Sequence, residues 1–454
     1  MKRAVQHAAR AVMLLSILLF TAIQPAAAQQ VLRDSETELF LKDISKPLII
    51  AAGLDPKSVN VVLLEDDEIN AFVATGQTVY LHSGLVEAAD NANQLQGVIA
   101  HELGHVAGGH SIRMGDGAKT ATGISILSVL LGAAAAVAGA GDAAMGIMAA
   151  GQQAAMGNFL AFTRAQEASA DEAGASYLSK AGISGKGSIA FFKKLQNQEF
   201  RLAIPQEDSY GRTHPLSSER IAALEQGYRK DPAYDRPTDP ATEMRFKRVK
   251  AKLLGFLDPR EATKLYPESD QSIPAHYARA YAYHRGAYPD KAAQEVKALL
   301  ESSPHDPFFL ELEGQTLLEG GNPKAAIAPL REAVSRAPDQ PMIAVMLGHA
   351  LVSSNDPRNI AEAKQVVKAA VNRDNDNPFA WYVLGMAYDR EGDNPRAALA
   401  SAERNNLEGN NTLALASARM AMAGLKQGTP DYIRAQDIAM VSETALKKDK
   451  KKRK

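Results

Sequence analysis

The sequence predicts a mainly α chain in which a helical domain with a small β-hairpin or sheet is followed by an α-solenoid. Three observations predict it. His101-Glu102-Leu103-Gly104-His105 ends a helix-compatible run that is apolar at Leu95, Val98 and Ile99. The β-prone runs cluster within residues 59–81. Beyond residue 272, glycine and proline markers recur about every 34 residues.

A chain of 454 residues holds two or three domains, and 46% hydrophobic with 23% charged residues is ordinary for a globular protein. The pI of about 6.8 and the lack of a basic motif interleaved with aromatics argue against a nucleic-acid partner. Residues 1–28 read as a secretory signal, with Lys2, Arg3 and Arg10 before the apolar Val12–Phe20 and Ala26-Ala27-Ala28 before Gln29. The chain is therefore expected to be exported. There is no cysteine, so any zinc site must use His and carboxylate ligands.

Residues 33–53 read as a helix through Leu39, Leu41, Ile44, Leu48 and Ile49, ended by Gly53 and Pro56. Residues 59–64 read as a strand, and 69–73 with 78–81 as a hairpin around Gly76. Such a hairpin either pairs with an extended substrate backbone or is purely structural. Helices are expected at 83–89 and 93–108. No residue from Ala121 to Gly141 is charged, and a second uncharged run follows Asp142 to Leu160. Residues 121–160 read as an alanine- and glycine-rich helical hairpin that lies over the active site or faces the membrane. A true span and a buried core hairpin are the alternatives. A helix over 162–181 carries Glu167 and Asp171 on one face, four residues apart. Another covers 185–200. The loop Thr213-His214-Pro215 then leads to a helix capped by Ser217 and running to Tyr228.

Three prolines between Asp231 and Pro240 mark a linker. Gly314, Gly348 and Gly385 then recur at spacings of 34 and 37, and Pro289, Pro323, Pro357 and Pro395 at 34, 34 and 38. Trp381-Tyr-Val-Leu384-Gly385-Met-Ala-Tyr388 fits the tetratricopeptide pattern W-x2-L-G-x2-Y. A small residue at the glycine position lets two helices approach. Asn322 or Asn394 would cap the second helix of a pair, with proline in its first turn. The expected units are 1–28 (signal), 29–230 (the domain that carries HELGH), 231–271 (linker and bridging helices), 272–447 (repeats) and 448–454 (basic tail).

The chemistry lies in the pentapeptide. Histidines four apart share a helix face and can bind one zinc ion per chain, with Glu102 as general base toward its water. Zinc needs a third protein ligand. A histidine six residues after His105 would fit a known pattern, but that position is Ser111. His110 is one residue short and is expected to point off the ligand face. Glu167 is the best third-ligand candidate, and Asp171 is placed to fix a ligand imidazole.

These motifs together resemble the exported gluzincin zinc metallopeptidases with tetratricopeptide repeats, relatives of the HtpX and CAAX-prenyl endopeptidases. The likeness rests on HELGH, the Glu167/Asp171 helix, the His214-Pro215 loop with Arg220, the Asn70-Ala71-Phe72 and Gly76–Tyr80 hairpin, and the repeats. It implies a gluzincin-type zinc peptidase domain before the solenoid, with His101, His105 and Glu167 as zinc ligands, Glu102 as base and Asp171 in support. His214 is implied beside the metal, either stabilising the oxyanion or latching the open position. Asn70, Ala71, Phe72, Val79, Tyr80 and Arg220 are implied on the substrate side. The resemblance also implies a periplasmic location, with membrane association left open. The expected function is endoproteolysis of misassembled or misfolded envelope proteins. The repeats would engage protein substrates and the envelope assembly machinery, and 121–160 would make peripheral membrane contact. The rival readings are a chaperone-like assembly adaptor with a latched metal site and an integral-membrane protease.

Overall fold

The computed structural model describes residues 30–74, 76–137, 140–202, 214 and 218–452. The signal at 1–28 and the Ser217 cap lie outside the described residues. The described residues are mainly helical, with one four-stranded sheet near their start.

Strand β1 (Gln30–Leu32) leads into α1 (Ser35–Ala51), which Asp34 caps by accepting from the Thr37 N–H. Strands β2 (Asn60–Glu65), β3 (Ala71–Val73) and β4 (Thr78–His82) complete the sheet, in the order β1-β2-β4-β3. β3 and β4 are antiparallel, as the hairpin reading expects, while β2 and β4 are parallel. Gly76 sits in the connection at φ +92, where a side chain is strained. β1, which pairs antiparallel with β2, was not foreseen.

After α2 (Ser83–Ala88), Asn91 caps α3 (Ala92–Gly108) by accepting from the Gln94 N–H. Helix α3 is buried from Ala92 through His105 and runs through the middle of the first core. It ends at Gly109, in the left-handed conformation at φ +62. α4 (His110–Val137) and α5 (Gly141–Ala181) form a long antiparallel hairpin. α6 (Lys186–Leu202) and α7 (Ser218–Tyr228) close the core around Phe40, Leu81, Leu95, Ile99, Phe191 and Phe192.

The outer part of the hairpin is packed inside out for water. Gly132, Ser128, Ala144 and Ala155 are buried between the arms, and a Cβ on Gly132 would lie 2.6 Å from Met148 Cγ. Ile126, Leu127, Leu130, Leu131, Met145 and Met156 point outward and are each more than half exposed. Small residues inside with large apolar ones outside is the pattern of helices packed in lipid.

Helix α8 (Pro240–Leu257) bridges the two halves. Phe246, Val249 and Leu253 join the first core, while Ala251 and Leu254 pack with Ala278 and Ala282 of the next helices. After α9 (Pro259–Leu265) come the helix pairs α10 (Ile273–Arg285) with α11 (Pro289–Ser302), α12 (Pro307–Glu319) with α13 (Pro323–Arg336), α14 (Pro341–Ser353) with α15 (Ile360–Arg373), and α16 (Pro378–Glu391) with α17 (Asn394–Leu407). α18 (Asn411–Gly424) and α19 (Pro430–Lys452) end the stack. At Gly314 and Gly348 a side chain would collide with Leu330 and Val367 of the paired helix, whereas Gly385 has room for an ordinary contact. The expected asparagine caps are corrected: Asn322 makes no capping bond, and Asp393 rather than Asn394 caps α17. The solenoid curls back on the first domain, so that Arg33 meets Asp374 at 2.8 Å.

Candidate metal centre

Two helices, the buried α3 and the inner end of α5, build the site. α3 carries His101 and His105 on one face, and α5 lies against it at very short range. A Cβ on Gly104 would stand 2.7 Å from the Ala170 carbonyl oxygen and 2.8 Å from Ala170 Cα. On the other helix, a Cβ on Gly174 would stand 3.0 Å from the Ala100 oxygen. Only such close approach lets the short reach of Glu167 bring its carboxylate to the two imidazoles.

Four donors converge there from His101, His105, Glu167 and His214, all buried. His101 Nε2 lies 3.1 Å from His105 Nε2 and 3.3 Å from Glu167 Oε2, and His105 Nε2 lies 3.3 Å from Glu167 Oε1. His214 Nδ1 is 3.2 Å from both Glu167 oxygens and 3.3 Å from His101 Nε2. Donors about 3.2 Å apart can each stand about 2.0 Å from a common centre, the bond length zinc takes to imidazole and carboxylate, and all four lie within 4.8 Å of one another. The donor set therefore fits a zinc ion in both chemistry and size.

The surroundings favour positive charge. Burial disfavours a charged His101, but the Asp171 and Glu167 carboxylates outweigh it and lift its pKa to about 10. Burial likewise opposes ionisation of Glu167, yet its hydrogen bonds with His101, His105 and His214 hold it far below the carboxylate range. Asp171 is lowered too: burial opposes its ionisation, and His101 and Arg220 prevail. Asp171 Oδ1 lies 3.0 Å from His101 Nδ1, although off the line of an ideal hydrogen bond. Arg220 grips Asp171 through two bonds, Nε to Oδ2 at 2.7 Å and NH2 to Oδ1 at 2.9 Å, and reaches Glu167 at 3.2 Å.

His110 was not foreseen as part of the site. Its Nδ1 meets His105 Nδ1 at 2.9 Å, and the residue is buried. A proton on His105 Nδ1, shared with His110, leaves Nε2 free to face the other donors. His110 is expected from the sequence to point off the ligand face; it is not among the four donors, and after the turn at Gly109 its ring sits against the far nitrogen of His105.

Glu102 is fully buried, and neither carboxylate oxygen makes a hydrogen bond. His214 Nε2 stands 3.4 Å from Glu102 Oε1 and 3.3 Å from the Ala71 carbonyl oxygen on β3. His214 thus reaches the metal donors with one nitrogen, and the base and the sheet edge with the other.

The residues read on the substrate side do not form one surface. β3 is an outer strand, with Phe72 stacked on Tyr80 at 5.2 Å. Asn70 is buried, and its carbonyl accepts from the His82 N–H. Val79 belongs to the core and sits on the interior strand β4, whose backbone is paired on both sides, as is that of Tyr80. Arg220 pairs with Asp171 and reaches the donor Glu167.

Residues 35–227 match the model described as peptidase family M48. The chain is 28% identical over 425 residues to the β-barrel assembly-enhancing protease of Yersinia pestis, spanning 90% of this chain and 85% of that one. It is 27% identical over 409 residues to the protein of the same name from Escherichia coli (strain K12), spanning 86% and 81%. The metalloprotease LoiP of Escherichia coli (strain K12) is 31% identical over 174 residues, which cover 37% of this chain and 62% of LoiP.

Proposed function

We propose, from the premise that this chain carries a peptidase family M48 domain and is a zinc metalloendopeptidase, that it is exported to the periplasm and cleaves misassembled or misfolded envelope proteins. The observation that carries the reading is the buried cluster of donors from His101, His105, Glu167 and His214, with the buried carboxylate of Glu102 beside it.

His101, His105 and Glu167 would hold the zinc. Bound there, the ion supplies Lewis acidity that polarises a scissile carbonyl and acidifies water. Glu102 is the base. It takes a proton from the attacking water as the new C–O bond forms, and returns it to the amide nitrogen as the C–N bond breaks. Burial keeps its carboxylate close to that water and little screened by solvent. Asp171 and Arg220 fix the His101 ring, and His110 fixes His105. An extended substrate adds along the outer edge of β3 at Ala71 and Phe72.

His214 acts as a latch. Its Nδ1 takes the fourth donor position and its Nε2 covers Glu102 and Ala71, so substrate must displace it. This placement also favours a second reading, in which the latched protein serves as an assembly adaptor through its repeats. The repeats would engage protein substrates and the machinery that assembles outer-membrane β-barrels, in line with the names of the relatives. The outward apolar face of residues 121–160 would rest on the membrane. The stretch His110–Ala135 is long and apolar enough to cross one by length and composition.

Glu102→Gln keeps the donors and removes the base, so purified protein should retain zinc and lose hydrolysis. Continued cleavage by that variant would refute the role. If Glu102→Gln fully supports outer-membrane protein assembly in cells, the adaptor reading prevails.

A further inference from the structure

A second concave site lies away from the metal donors, where the start of α1 meets the bridging helix and the repeats. It is a cavity of about 200 Å³, with Phe256, Met342 and Met346 on its apolar wall and Glu311 of α12 on its polar one. Glu311 is only 7% exposed. One carboxylate oxygen accepts from Ser35 Oγ at 2.8 Å, and the other, Oε2, has no hydrogen-bond partner. A buried, unsatisfied carboxylate oxygen is costly unless something comes to meet it.

The charges around it show what is missing. Asp34 holds Lys252 at 2.5 Å, while Arg248 is shared between Glu36 at 2.8 Å and Asp306 at 2.7 Å. Arg33, at the rim, is taken by Glu38 at 2.5 Å and Asp374 at 2.8 Å. Among the described residues every nearby cation is already engaged with another carboxylate, and none forms an ion pair with Glu311. Burial, reinforced by Asp34 and Glu36 against the opposing Lys252, pushes its carboxyl up to about 8.

The cavity is far larger than one water needs and smaller than the roughly 300–1,000 Å³ of small-molecule sites. Its volume suits one long side chain. It shares Leu32, Arg33 and Phe256 with an open groove of about 700 Å³ walled by Phe379 and Tyr382. A groove that leads into a side-chain pocket suits a polypeptide better than a free metabolite.

We infer that this cavity is a specificity pocket for a lysine of an extended polypeptide, its aliphatic stem lying on Met342, Met346 and Phe256 and its ammonium on Glu311 Oε2. The inference rests on the reading that the repeats receive protein substrates, and it adds what they select. The ammonium supplies the cation that the cluster lacks, and the methionines adapt to the stem.

The test uses the full mature chain carrying Glu102→Gln, so that probes are not cut. Three fluorescein-labelled peptides differ only at one central position, which is lysine, norleucine or acetyl-lysine. Anisotropy should give the lysine peptide an affinity about tenfold or more above the other two, as a charge-assisted hydrogen bond implies. Adding Glu311→Gln should bring the three within about twofold. Met346→Trp, which fills the pocket, should do the same by another route. Binding of the norleucine peptide reports that the groove is intact in each variant. Equal affinities in the parent, or a lysine preference that survives Glu311→Gln, would overturn the inference. So would spermidine alone binding as tightly as the lysine peptide, since the occupant would then be a free amine. The peptidase reading fails through a different measurement, hydrolysis by Glu102→Gln.

Discussion

Gly104 is the residue on which the metal site should prove most sensitive to one added methyl group. In Gly104→Ala the new Cβ would lie 2.7 Å from the Ala170 oxygen, and ordinary contact begins near 3.4 Å. The obstacle is backbone on a long helix, so α3 and α5 must separate by about 0.7 Å. Glu167 lies one turn from Ala170 on α5 and would move away from His101 and His105 with it. Zinc sites hold their distances to about 0.2 Å, so a shift of that size should lower zinc affinity by about 10–100-fold. The stability change should be smaller. Overpacking costs about 1–3 kcal/mol, and the better helix propensity of alanine returns about 1 kcal/mol. The assay is zinc competition against a chromophoric chelator, with the thermal midpoint measured in parallel. Gly123→Ala on α4 is the control, since its Cβ meets nothing within 4 Å. Wild-type zinc affinity in Gly104→Ala would refute the argument that close helix approach sets the ligand geometry.

Three further outcomes follow from other contacts. Asp171→Asn weakens the two bonds to Arg220 and the support of His101, so zinc affinity should fall about 10–100-fold, read by the same competition. Arg248→Met leaves Glu36 and Asp306 facing each other inside the junction and should cost about 3–5 kcal/mol in urea unfolding; a change below about 1 kcal/mol would show that the junction pairs contribute little. Glu311 titrates near 8 when folded against an ordinary 4.5, so folding takes up a proton between those values. Its contribution to stability is therefore present below pH 4.5 and lost as pH rises through 8, and Glu311→Gln should flatten that part of the thermal midpoint profile. Identical slopes in the two proteins would assign the pH dependence to other groups.

Much of the architecture was legible because it depends on periodicity. The i, i+4 histidines need only a continuous α3, and Glu167 and Asp171 need only the same of α5. The repeat glycines report a contact that recurs, and at Gly314 and Gly348 the paired helix leaves no room for a side chain. What periodicity cannot carry is the direction of the chain after a break. His110 follows a left-handed glycine, so the phase of α3 says nothing about where its ring points. β1 is three residues long, too short for alternation to register. The placement of Arg220 against Asp171 depends on how α7 packs against α5, which local pattern does not encode. The inside-out hairpin was partly visible: its lack of charge is plain in the sequence, but which apolar residues face outward required the partner helix.

Helix α5 is one unbroken rod of 41 residues. Glu167 and Asp171 lie toward one end, and the tip of the exposed arm at Gly141 is about 39 Å from Glu167 along the same axis, at a rise of 1.5 Å per residue. It bears on α3 at Ala170 and Gly174, and that bearing serves as a fulcrum. A load on the tip therefore has a short mechanical path to the carboxylate that meets both histidines. Whatever grips the far end of this lever also tugs on the ligand cage.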